Sequence, residues 1–127
     1  MKAPIWLAAA ALITACTLAP AWAHDHGHAP LHGGTVAEVA DVDYELVATA
    51  QAITLHLRDH GQSVATEGAS ARLTVLVGRD KREVQLTPAS DGRLQAQGDF
   101  ALPAGTKVLA QVSLAGKKPV QVRFALK

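Results

Sequence analysis

Between residues 35 and 126 apolar and polar side chains alternate with a period of two. Val42, Tyr44, Leu46 and Ala48 alternate with Asp43, Glu45, Val47 and Thr49, and Ile53, Leu55 and Leu57 alternate with Thr54, His56 and Arg58. Successive side chains of an extended chain point to opposite faces, so this pattern describes half-buried strands and not an amphipathic helix. Val84 and Leu86, then Leu94 and Ala96, carry the series on. Val108, Ala110, Val112 and Leu114, followed by Val120, Val122, Phe124 and Leu126, complete it. The run Leu73-Thr74-Val75-Leu76-Val77 is more continuously apolar and predicts a central strand.

Turn residues punctuate the runs at His60-Gly61-Gln62, Glu67-Gly68, Gly78-Arg79-Asp80, Ser90-Asp91-Gly92, Pro103-Ala104-Gly105 and Ala115-Gly116-Lys117. Short strands at this spacing predict an all-β domain, an antiparallel Ig-like β-sandwich of about seven strands. The Cys-Trp-Cys signature of antibody domains is missing, since the single cysteine is Cys16 and the two tryptophans are Trp6 and Trp22. If Ala50-Gln51 is a two-residue turn, Thr49 faces Ala52. Glu45 then stands opposite His56, and Asp43 opposite Arg58, on the outward, wet face.

The first 23 residues have the pattern of a secretory signal: Lys2, an alanine-rich apolar stretch over residues 5–18, and Ala21-Trp22-Ala23 as a cleavage site. The stretch is short for a membrane span, and no stop-transfer charges follow it. Ile13-Thr14-Ala15-Cys16 also fits a lipoprotein cleavage box, with Cys16 as the lipid anchor. Both readings predict export, to the periplasm or to the cell envelope. The expected organisation is a signal over residues 1–23, a flexible His-rich tail over 24–34 and the β domain over 35–127. The chain carries 12 basic and 11 acidic residues, and losing Lys2 with the signal leaves the charges balanced. That balance argues against nucleic acid as a partner, which requires a basic face.

The tail reads His24-Asp25-His26-Gly27-His28-Ala29-Pro30-Leu31-His32-Gly33-Gly34 and holds four of the six histidines. Neutral imidazole is the commonest side-chain metal ligand. With His24 as the mature N-terminus, the terminal amine, two backbone amides and the His26 ring form a square-planar set of four nitrogens. That set suits copper(II) and nickel(II) better than tetrahedral zinc. His24, His26, His28 and His32 are therefore candidate ligands. His56 and His60 are further candidates, with Glu45 as a carboxylate ligand or as the group that orients His56. No nucleophile elbow, phosphate-binding loop or H-E-x-x-H motif is present, so the sequence points away from an enzyme.

Pro30-Leu31-His32-Gly33-Gly34, the strand Tyr44-Glu45-Leu46-Val47, the segment from Ile53-Thr54-Leu55-His56 through Asp59-His60-Gly61-Gln62-Ser63-Val64, Gly105-Thr106-Lys107-Val108 and Val122-Arg123-Phe124 together resemble a known module. It is the N-terminal β-sandwich of heavy-metal efflux periplasmic adaptor proteins and of their small stand-alone relatives. The resemblance covers residues 30–126. It implies handling of copper, nickel, zinc or cobalt beside an efflux complex, without the hairpin that would bridge a pump. The competing expectation is an Ig-like protein-interaction module that uses no metal.

Overall fold

The computed structural model describes residues 29–127. They form nine strands and, among the described residues, no helix: β1 (Thr35–Val39), β2 (Val42–Ala48), β3 (Ala52–Asp59), β4 (Gln62–Ser63), β5 (Ser70–Val77), β6 (Asp80–Ala89), β7 (Arg93–Gln97), β8 (Lys107–Ser113) and β9 (Val120–Ala125). All pairings are antiparallel, in the order β1-β2-β3-β7-β6-β5-β8-β9, with β4 on β3. Seven of the nine coincide with the apolar runs. The other two, β1 and β4, have weak signatures. β1 is an edge strand whose Ala37 and Val39 are only half-buried, and β4 is two exposed residues.

The layers of the expected sandwich are joined. β6 pairs with β5 from Asp80 to Leu86 and then with β7 from Thr87 to Ala89. One sheet therefore runs without a break and curls until β1 and β9 lie side by side, nearly closing a barrel. Inside is a single core, to which Tyr44, Leu46, Ile53, Leu55, Leu73, Val75, Leu86, Leu94, Val108, Ala110, Val122 and Phe124 contribute. These are the inward positions of the alternation, and burying them is the main force that holds the sheet curled. The run from Leu73 to Val77 is not buried on both faces. Val75 is buried, Thr74 is half-buried and Leu76 is exposed on the outside, as on any strand with one wet face.

Tight turns fix the register of the hairpins. His60 and Gly61 both have positive φ and close β3 on β4. Thr49 N–H donates to the Ala52 carbonyl at 2.9 Å, and the Thr49 hydroxyl oxygen accepts from Gln51 and Ala52. Threonine thus supplies the turn chemistry that Ala50-Gln51 lacks. At the β1–β2 turn Ala40 has φ 50° and Asp41 φ 67°. This is the left-handed region that Asn-Gly adopts readily and alanine does not. Changing Ala40→Asn together with Asp41→Gly should stabilise the domain by about 1 kcal/mol, read as a higher urea midpoint with an unchanged slope.

Candidate functional site

The β2–β3 hairpin pairs Glu45 with His56 and Asp43 with Arg58. Alternation turns all four side chains to the outside of the sheet, yet Asp43, Glu45 and Arg58 are buried, and Glu45 is 0% exposed. The expected wet face is dry at this point. Residues 31–34, grouped with the tail on sequence, lie over it and are hydrogen-bonded to Glu45. Leu31 N–H donates to Glu45 Oε1 at 3.0 Å, and His32 and Gly34 N–H donate to Oε2 at 2.8 and 3.0 Å. Arg58 Nη2 stands 3.6 Å from Oε1, an ion pair beyond hydrogen-bond length.

Two glycines allow this arrangement. Gly33 has φ +72°, and a Cβ on Gly34 would lie 2.4 Å from the Leu46 carbonyl oxygen. Only glycine lets residue 34 approach β2 so closely. The His-Gly-Gly sequence thus delivers His32 onto His56. Their rings stack at 3.8 Å between centroids with 10° between planes.

Burial works to raise the Glu45 pKa. The three backbone N–H donors, from Gly34, His32 and Leu31, together with the nearby His32, outweigh it and hold the carboxyl below its ordinary value. The His56 pKa is lowered by burial first and then by the neighbouring His32, Arg93 and Arg58, against an opposing pull from Glu45. His56 therefore stays neutral, with a nitrogen lone pair available, further into acid than an ordinary histidine. Both lowered values stabilise the fold at high pH. The His56 contribution is present above its unfolded pKa of about 6.5 and fades as pH falls below it. The Glu45 contribution is present above about 4.3 and is lost as pH falls further. Thermal melts of the metal-free protein should show two successive losses of Tm on acidification. His56→Ala should remove the upper loss, and Glu45→Gln the lower one.

Among the candidate residues the structure joins His32, His56 and Glu45. His60 is placed elsewhere, at the exposed β3–β4 turn, where its Nδ1 bonds the Asp59 carboxylate. It borders a cleft of about 520 Å³ shared with Ala29, Leu31, Asp43, Arg58 and Gly61. His24, His26, His28, Cys16 and the whole of residues 1–23 lie outside the described residues.

Among the described residues no three His, Cys, Asp or Glu side chains converge on one point suited to a metal ion. Stacking keeps the ring lone pairs of His32 and His56 in two nearly parallel planes, so a shared ion requires one ring to rotate. Both Glu45 oxygens accept from backbone N–H groups, so its carboxylate clamps residues 31–34 onto the sheet. The pairing of Glu45 with His56 was readable from the hairpin. The clamp was not, because the donors to Glu45 are backbone N–H groups, which carry no side-chain signal.

Comparison of the chain with family models, with curated proteins and with solved structures gave no match.

Proposed function

We propose that the protein is an exported binder of divalent transition metal ions, with copper or nickel favoured, that buffers or delivers them beside an efflux system and performs no catalysis. The observation that carries this reading is the stacking of His32 on His56, two imidazoles 24 positions apart in the chain held together by the Glu45 clamp. Clamping lowers the entropy lost when an ion captures both rings. The lowered pKa of His56 keeps one of them neutral, the form that coordinates.

His24, His26 and His28 stand immediately upstream of residue 29 and are the donors that would complete the shell. The resemblance to the N-terminal module of heavy-metal efflux adaptors supports the same reading, with the two halves of the curled sheet in the place of the two layers of an Ig-like sandwich. The periplasm, or a lipid anchor at Cys16 in the envelope, is the corresponding location.

The test is calorimetric titration of the full chain with copper(II) and nickel(II), beside a His24→Ala/His26→Ala/His28→Ala variant and a His32→Ala/His56→Ala variant. Each variant should lose at least about tenfold in affinity, the order of loss seen when a group supporting a metal site is removed. Unchanged affinity in the pair variant would leave the tail as a simple chelator and remove the domain from the function.

A further inference from the structure

The outer face of the other half of the sheet, made by β6, β5, β8 and β9, has a different character. Leu76 points outward there and is 41% exposed, one of two large hydrophobic side chains so exposed among the described residues. Its cross-strand neighbours are Lys81 on β6 and Lys107 on β8. In the next row outward-facing Leu109 stands opposite Arg123 of β9, and Arg72 lies on β5 four residues before Leu76. Leu76, Leu109, Lys107 and Arg123 border an open groove of about 470 Å³.

None of the four cations is in an ion pair among the described residues. One carboxylate, Glu83, shares the face, opposite Thr74. The exposed carboxylates Glu38, Asp41 and Asp59 belong to β1, β3 and the β1–β2 turn, on the half of the sheet that carries His32 and His56.

We propose that the β6-β5-β8-β9 face docks on an anionic phospholipid surface. Leu76 enters the headgroup layer, and Lys81, Lys107, Arg123 and Arg72 contact lipid phosphates. A sheet face with an apolar centre and unpaired cations around it matches the layered chemistry of a bilayer surface, acyl carbon beneath a plane of phosphates. A protein partner would have to offer carboxylates to four cations and a pocket to Leu76 at one fixed geometry, whereas fluid lipids arrange themselves around the face. Docked this way, the His32–His56 pair faces away from the bilayer. The inference is independent of the metal reading.

The apolar stretch at the N-terminus of the full chain has its own membrane affinity, so the test reads position and not only binding. In a Cys16→Ser background, an environment-sensitive dye is attached at Leu76→Cys or, as control, at Glu38→Cys. Vesicles of phosphatidylglycerol mixed with phosphatidylcholine should shift the emission of the dye at 76 to the blue and leave the dye at 38 unchanged. Pure phosphatidylcholine should do neither, and high salt should reverse the effect. Lys107→Gln with Arg123→Gln should weaken the response at 76 roughly thirtyfold at low salt, from the usual contribution of each basic residue near an anionic surface. No shift at 76, or equal shifts at 76 and 38, overturns the proposal; an acidic protein partner would then be the occupant to seek.

Discussion

Val75→Asp should leave the domain unfolded. Val75 is 1% exposed and lies on β5, between β6 and β8, facing the core formed with Leu73, Val108 and Phe124. An aspartate there must be buried among these hydrocarbon side chains or be protonated; the cross-strand neighbour on β6, Arg82, is exposed and has its guanidinium over the Phe100 ring at 4.4 Å. The expected loss is on the order of 5 kcal/mol, comparable with the whole stability of a domain this size. Far-ultraviolet circular dichroism at 25 °C reads it directly. The control is next door: Leu76→Asp is on the wet face of the same strand and should cost no more than about 0.5 kcal/mol. Equal damage from the two would mean that β5 is not oriented as described.

The second large effect is expected at Glu45. Glu45→Ala removes the acceptors of three backbone N–H groups and leaves the buried Arg58 without this carboxylate at 3.6 Å. Breaking a buried charged network by deleting one member costs about 3 kcal/mol or more. The loss should have a local signature as well. Amide hydrogen exchange at Leu31, His32 and Gly34 should accelerate well beyond the global change, because those amides lose their acceptor. Glu45→Gln keeps the shape and one acceptor oxygen, so it should fall between wild type and alanine. A wild-type exchange pattern in Glu45→Ala would show that residues 31–34 are held by something other than this carboxylate.

Much of this fold could be read from the chain, and the reasons are particular. The alternation around Tyr44, Leu55, Val108 and Val122 fixed which face of each main strand turned inward, because a strand with one dry face has no other way to bury its apolar half. The β2–β3 register followed from the turn length alone, and Glu45 does stand opposite His56. The exposure of that face was misread. The expectation that an outward carboxylate is wet assumed that nothing covered it, and the cover comes from residues 31–34, which contain no apolar repeat to announce a packed segment. What brings them down is backbone: three N–H groups and the room that Gly34 leaves beside Leu46. Closure of the sheet was also missed: β6 changes partner after Leu86, and the only mark of it in the sequence is Pro88, where the buried alternation of Val84 and Leu86 stops.

The central claim is that the domain itself, through His32 and His56, takes part in metal binding. The most direct measurement is a nuclear magnetic resonance titration of the full chain with substoichiometric copper(II), following each histidine ring. Paramagnetic copper broadens the resonances of its ligands most strongly. The account predicts that the rings of His32 and His56 broaden together at the first additions, alongside those of His24, His26 and His28, while the His60 ring persists. If the His56 ring stays sharp while the tail histidines disappear, the domain is not part of the site and the account is wrong.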